Sequence, residues 1–132
     1  RTYLCRGDAL FQLTRDHKLV EEMVYSGEIC AADAIHHPHR HIITRAIGAE
    51  DSVHIDLNHV TLTIGDRLLL CTDGLSDCLD PETIADIMQD DPLKTVARLL
   101  DEGDARGRKD DATAIAITIV GEAGMDERAK TP

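Results

Sequence analysis

Two short aliphatic runs, each beside an acidic residue, constrain the fold of this chain most. Residues 68–71 read Leu-Leu-Leu-Cys and are followed two positions later by Asp73. Residues 112–120 form a second apolar run, which comes directly after Asp110 and Asp111. Runs of this length and composition are typical of buried β-strands. If the two strands are neighbours, their acidic ends converge at one rim of the sheet.

The rest of the chain supplies further strands and four helices. Strands are predicted over residues 1–6, 9–14, 42–48, 53–57, 67–71 and 113–120. Two helices are predicted over residues 17–26, capped by Asp16, and over residues 31–37. Two more are predicted to start after the caps Asp80 and Asp91, each of which is followed by proline. A polar loop is predicted over residues 103–109. Strict alternation predicts that Val53, Ile55 and Leu57 face a core. Strands and helices that come in blocks predict an α+β fold with a largely antiparallel sheet and helices to one side.

The charge balance excludes several classes of partner. The 132 residues include 14 Lys and Arg against 25 Asp and Glu, which gives a net charge of -11. An acidic surface repels phosphate backbones and anionic membranes, so neither nucleic acid nor a membrane is expected as a partner. No apolar run approaches the roughly 18 residues of a transmembrane span, and no signal peptide is predicted. Four cysteines without a CxxC pair favour free thiols and a cytoplasmic location.

The acidic residues at the predicted rim suggest a site for a hard cation. Gly74 permits a tight turn and close approach of a ligand, and Asp77 shares a face with Asp73 if the segment forms a helical turn. Two carboxylates about 4 Å apart repel by roughly 4 kcal/mol at an effective dielectric near 20. A proton, an arginine or a metal ion must offset that repulsion. Carboxylates such as Asp73 and Asp110 favour Mg²⁺ or Mn²⁺ over zinc, although an ordinary turn and a loop cap remain open as alternatives.

Four segments, in order and spacing, resemble the second half of a bacterial PPM-type metal-dependent protein phosphatase. These segments are residues 13–17 (Leu-Thr-Arg-Asp-His), 37–48 (His-Pro-His-Arg-His-Ile-Ile-Thr-Arg-Ala-Ile-Gly), 65–77 (Gly-Asp-Arg-Leu-Leu-Leu-Cys-Thr-Asp-Gly-Leu-Ser-Asp) and 109–113 (Lys-Asp-Asp-Ala-Thr). The resemblance implies half of an α-β-β-α sandwich, with largely antiparallel sheets flanked by helices. Residues 1–120 would be the C-terminal part of the phosphatase domain, with a flap at about 16–45, and residues 121–132 a polar, disordered tail.

The same resemblance implies an activity and a ligand set. The activity is that of a hydrolase in signal transduction: a Ser/Thr protein phosphatase that acts on phosphoserine and phosphothreonine proteins and opposes a Ser/Thr kinase. The complete enzyme would use two or three Mg²⁺ or Mn²⁺ ions, with two of them activating a bridging water. The family's metal-binding Asp-Gly maps onto Asp73 and Gly74, its last-loop acid onto Asp110, and an acid of a weaker third metal onto Asp77. The family commonly has asparagine where this chain has Asp111.

Several features of the family have no counterpart in this sequence. The family's first half carries a metal-bridging Asp-Gly, a phosphate-binding arginine and a histidine near the leaving group. The chain starts at the arginine of the family's Gly-Asp-Ser-Arg motif, as Arg1. The expectation is therefore a truncated portion that is inactive alone, leaves one sheet face uncovered and self-associates.

Other classes of protein fit less well, and one alternative stays open. A haloacid-dehalogenase-type phosphatase needs a second aspartate where this chain has Leu75, and a receiver domain needs its acid pair near the first strand. The histidines of residues 36–41 suggest zinc, but Pro38 breaks their spacing, which favours a polar surface. The open alternative is a non-catalytic, phosphatase-like interaction module.

Overall fold

The computed structural model describes residues 1–121 of the chain, which divide into two compact units. Unit 1 contains residues 1–14 and, within the described part, 59–121; unit 2 contains residues 15–58. The strands are β1 (Thr2–Arg6), β2 (Ala9–Gln12), β3 (Arg67–Cys71) and β4 (Ala114–Thr118). The helices are α1 (Leu19–Ser26), α2 (Ala31–His36), α3 (Asp73–Ser76), α4 (Pro81–Ile87) and α5 (Pro92–Ala105). Apart from Gly121, the predicted tail at 121–132 lies outside the described residues.

Unit 1 is built on one antiparallel sheet with the strand order β2-β1-β3-β4. Gly7, at φ +56°, forms the turn between β1 and β2. The two aliphatic runs are neighbours, because β3 pairs with β4 and Cys71 lies opposite Ala114. The predicted α+β class with an antiparallel sheet is confirmed.

One face of the sheet carries the core. Tyr3, Leu69 and Ala116 lie side by side across β1, β3 and β4, and Leu69 is fully buried. The helices and the residues that flank them cover this face with Leu75, Ile84 and further apolar residues of the same cluster, which are Leu79, Ile87, Met88 and Leu99. The small side chains of β4 therefore point to the helices.

The opposite face of the sheet carries large apolar side chains that remain exposed. In the described residues, Ile115 is 54 % exposed and lies opposite Leu70, and Ile117 lies opposite Leu68. Phe11 of β2 extends this row and is also exposed. The isoleucines of β4 thus form an apolar surface rather than part of the core.

The helices α4 and α5 begin where the sequence predicts. The Asp80 carboxylate accepts a hydrogen bond from the Thr83 N–H at 2.8 Å, and the Asp91 carboxylate accepts one from the Leu93 N–H at 2.9 Å. The polar loop predicted from residue 103 begins later, because α5 continues to Ala105. Gly103 is buried in the last turn of α5, where a Cβ atom would lie 3.4 Å from Cys78 Sγ, an ordinary contact distance.

Unit 2 differs most from the prediction. The strands predicted over 42–48 and 53–57 are wrong: the described residues of unit 2 show only the isolated bridges Lys18–Ile43 and Ile47–Glu50. Of the residues predicted to face a core, Ile55 is 71 % exposed and Leu57 is 83 % exposed, and Val53 is exposed as well. Alternation predicts a strand only where a neighbour can pair with it, and residues 53–57 pair with no described segment.

The helices of unit 2 are shorter than predicted. Helix α1 starts at Leu19 after Lys18, not after Asp16, because residues 17 and 18 are extended against residues 42–44. The Leu19 N–H donates to the Ile42 carbonyl and the Thr44 N–H donates to the His17 carbonyl. Gly27 ends α1 in the left-handed conformation, directly after the predicted last residue, Ser26. The predicted flap at 16–45 lies inside unit 2, and its role stays a prediction.

A polar cluster around Asp56 joins distant parts of unit 2. Its carboxylate accepts hydrogen bonds from Arg45 NH1 and contacts His17 Nε2, both at 2.8 Å. The Arg45 guanidinium, together with the His17 ring, holds the pKa of Asp56 well below its usual range. These contacts join Asp56 to His17 and Arg45 within unit 2, in which few apolar side chains are buried. None of the described helices is both long enough and apolar enough to cross a bilayer.

Candidate metal centre

The first acidic residue of the site is placed by the end of the buried strand β3. The strand stops at Cys71, and Thr72 caps the short helix α3, so that Asp73 stands at its first position. The Asp77 N–H donates to the Asp73 carbonyl at 2.8 Å. The helical turn that the sequence suggested between Asp73 and Asp77 is therefore present.

Two hydrogen bonds bring the start of β4 beside this strand end. The Thr72 N–H donates to the Thr113 carbonyl at 3.0 Å, and the Thr113 N–H donates to Thr72 Oγ1, also at 3.0 Å. Asp73 follows Thr72 directly, and Asp110 lies three residues before Thr113. The backbones of the two acidic segments thus converge at one rim of the sheet.

Gly74 shows how closely the two segments approach. A Cβ atom at this position would press on the Asp111 carbonyl oxygen, 3.0 Å from its carbon and 3.2 Å from the Asp110 carbonyl oxygen. Only glycine lets the two backbones meet at this distance without displacement. The glycine of the Asp-Gly pair therefore makes room for the loop between α5 and β4 (residues 106–113), called the last loop below because it is the last one that the structure describes.

The other predicted ligand has a partner of its own. Asp77 Oδ1 forms an ion pair with Arg1 NH2 at 3.0 Å, and Arg1 NH1 also donates to the Ser76 carbonyl at 2.9 Å. The structure thus ties Asp77 to the chain's first residue. At the last loop, the Asp110 Oδ1 atom accepts a hydrogen bond from the Asp111 N–H at 2.8 Å.

The rim offers two carboxylates that the sequence suggests as ligands of a hard divalent cation, Asp73 and Asp110. Among the described residues, no group of three or more Asp, Glu, His or Cys side chains is arranged to hold a metal ion. Asp73 and Asp110 both offer carboxylate oxygens, and Mg²⁺ typically binds to one or two carboxylates while it keeps several waters. A second ion held nearby would need a further carboxylate to bridge it to the first.

Comparison with known proteins points to one class. The serine/threonine phosphatase Stp of Listeria innocua is 40% identical over 89 residues, which are 67% of this chain and 35% of the relative. The solved serine/threonine phosphatase of S. agalactiae matches with a TM-score of 0.84 and 31% identity, over 92% of this chain and 50% of that one. The catalytic domain of the phosphatase PstP, solved in complex with two manganese ions, matches with a TM-score of 0.73 and 32% identity, over 92% and 50% of the two chains. No protein-family model matches the chain.

These likenesses define the class as bacterial serine/threonine protein phosphatases. The chain belongs to the PPM-type phosphatase family. It spans about a third of the length of the curated Listeria relative and half of the solved chains. Family membership and fold are thus established, while the activity of a whole protein is a separate question.

Proposed function

We propose that this chain is the C-terminal part of a PPM-type Ser/Thr phosphoprotein phosphatase and supplies Asp73 and Asp110 as ligands for Mg²⁺ or Mn²⁺. The observation that carries the proposal is the close approach of Gly74 to the backbone of the last loop. A Cβ atom placed on Gly74 would lie 3.2 Å from the Asp110 carbonyl oxygen. This approach brings together the two segments that the family resemblance assigns to the metal. The manganese ions of the solved PstP domain support the same reading.

In this proposal each group has a limited task. Asp73 and Asp110 hold the ion, and the Thr72–Thr113 hydrogen bonds fix the distance between their backbones. When bound, the ion supplies charge stabilisation and an activated water for hydrolysis of the phosphate ester. Substrates would be phosphoserine and phosphothreonine proteins, in opposition to a Ser/Thr kinase.

The proposed location is the cytoplasm. All four cysteines are free thiols in the structure, and Cys5 is buried. Burial raises the pKa of the Cys5 thiol, which makes it less reactive. Thiols of this kind are typical of reducing compartments.

The isolated chain is expected to show no phosphatase turnover, because two carboxylates at the rim do not fix two ions. A chimera in which this chain replaces the matching part of a full-length relative is expected to hydrolyse a phosphothreonine peptide in the presence of Mn²⁺. Asp73→Ala should reduce that activity about 100-fold or more, by analogy with the loss of one group that stabilises charge in a transition state. The measurement is phosphate release from the peptide with and without Mn²⁺.

Two results would contradict this expectation. Mn²⁺-dependent turnover by the isolated chain, abolished by Asp73→Ala, would show that this part suffices. A chimera that melts cooperatively but stays inactive would instead favour a non-catalytic interaction module. That alternative draws some support from the absence of a three-ligand cluster among the described residues. Binding of the phosphopeptide by the inactive chimera would identify it as such an interaction module.

We also propose that the isolated chain self-associates through the exposed sheet face. Ile115 and Ile117 of β4, with Phe11 of β2, present apolar side chains there. Burial of such surface contributes about 25 cal/mol per Å². Two copies that pair these faces would cover it.

Replacing Ile117 by threonine should weaken this association. Threonine keeps the β-branched shape, so β4 is retained, while a symmetric dimer loses two apolar contacts. We expect the dissociation constant to rise about tenfold, measured by sedimentation equilibrium. Ile47→Thr in unit 2, at an isoleucine that is 95% exposed and lies outside the sheet, is the control and should change nothing. A chain that stays monomeric at all concentrations would contradict the proposal.

A further inference from the structure

Arg108 connects helix α5 to the carbonyl group of Asp110. Its NH1 donates to the Asp110 carbonyl oxygen at 2.9 Å, while Nε and NH2 donate to Asp104 Oδ1 at 3.0 and 2.6 Å. The Arg108 side chain is only 18% exposed. The sequence does not indicate this role, because an arginine in a polar loop resembles any surface charge.

The connection starts from a rigid part of the fold. Asp104 lies in the last turn of α5, whose Leu99 is fully buried in the core. The Arg108 N–H donates to the Gly103 carbonyl at 3.0 Å, so its backbone is fixed to the same turn. The guanidinium thereby holds one carbonyl of the last loop at a set distance from the helix.

The carbonyl that Arg108 holds is also one that Gly74 approaches. The Asp110 carbonyl oxygen lies 3.2 Å from the Cβ position of Gly74. Arg108 thus contacts the last loop from the side of α5 while the Asp-Gly turn contacts it from the side of β3. Loss of either contact would let Asp110 move relative to Asp73.

We propose that Arg108 is a positioning residue that fixes the backbone of Asp110 and so directs its carboxylate to the ion. This role rests on the proposed metal function of Asp110. Groups that orient metal ligands without touching the metal typically change affinity 10–100-fold when removed. We expect Arg108→Ala to weaken Mn²⁺ binding by about tenfold.

Arg106 provides a matched control on the same helix end. Its Nε donates to Glu102 at 2.8 Å, an i,i+4 ion pair like that of Arg108 with Asp104. Its other contacts, with Asp80 and Thr83, go to the start of α4 and not to the last loop. Arg106→Ala therefore removes a similar surface charge without touching Asp110.

The first experiment uses the metal-free chain and follows amide hydrogen exchange by NMR. In Arg108→Ala, the amides of Asp111 and Thr113, which donate to Asp110 Oδ1 and Thr72 Oγ1, should exchange about tenfold faster. The amide of Leu69 in the centre of the sheet should not change, and Arg106→Ala should leave all three unchanged. Unaltered exchange at 111 and 113, or equal acceleration at Leu69, would overturn the proposal.

The second experiment adds Mn²⁺ and compares paramagnetic broadening of the amides of Asp73 and Asp110. In Arg108→Ala, broadening at Asp110 should fall relative to Asp73, whereas a general loss of stability would reduce both alike. If the ratio of broadening at Asp110 to broadening at Asp73 is the same in Arg108→Ala as in the unsubstituted chain, the proposal is overturned. If the unsubstituted chain shows no broadening at either residue, the proposed metal function fails, and the exchange experiment alone decides whether Arg108 fixes the loop.

Discussion

Gly74→Ala is expected to destabilise the chain by about 3 kcal/mol. A methyl group at this position would press on the carbonyl of Asp111, which is backbone and cannot rotate away. Relief requires that α3 and the last loop separate, which stretches the two Thr72–Thr113 hydrogen bonds. Urea denaturation followed by circular dichroism measures the loss as a lower midpoint.

The same substitution at Gly103 should have the opposite effect. There a Cβ would meet Cys78 Sγ at 3.4 Å and Leu75 Cδ1 at 3.5 Å, which are ordinary contact distances with side chains. Because Gly103 lies in α5, alanine also gains up to about 1 kcal/mol in helix propensity. We expect an unchanged or higher midpoint. Equal losses at both glycines would show that close backbone approach is not what Gly74 provides.

Asp73→Ala and Asp110→Ala are each expected to weaken Mn²⁺ binding about 100-fold. Removal of one of two carboxylates leaves the ion with a single charged protein ligand, and at about 4 Å such a charge is worth several kcal/mol at an effective dielectric near 20. The double variant should bind the ion more weakly than either single one, and the two losses need not add because both side chains act on the same ion. Isothermal titration or the EPR signal of free Mn²⁺ provides the affinities.

The controls for this experiment lie in the same segments. Asp111→Asn keeps the shape and removes one charge beside Asp110, and Asp77→Asn removes the charge that pairs with Arg1. We expect both to retain Mn²⁺ affinity within about threefold, which is the order of a single screened surface charge. If all four variants lose affinity alike, the ion is attracted by the general acidity of a chain with a net charge of -11 rather than held at a site.

Features that depend on a few neighbouring residues could be predicted from the sequence. The strand that ends at Cys71, the strand near residue 114 and the capped starts of α4 and α5 all follow from local apolar patterns and from Asp-Pro pairs. The sequence predicts that the two acidic segments converge only if β3 and β4 are neighbours. The structure shows that β3 pairs with β4, and this pairing brings the Asp73 and Asp110 backbones to one rim.

Features that depend on contacts between distant residues could not be predicted. Alternation at 53–57 looks like a strand, yet no described segment pairs with it. The pattern of β4 separates isoleucine from alanine but does not say which side faces the helices; the packing against α5 decides it. The hydrogen bond from Arg108 to the Asp110 carbonyl depends on where α5 ends, which is three residues later than the sequence predicts.

A crystal structure of the chain soaked in Mn²⁺, with the ion located by its anomalous scattering, tests the central claim most directly. The account predicts one strong peak at the rim of the sheet, within about 2.2 Å of a carboxylate oxygen of both Asp73 and Asp110, with waters at the remaining positions. A peak bound to only one of them, or two carboxylates directed to opposite sides of the sheet, would contradict it.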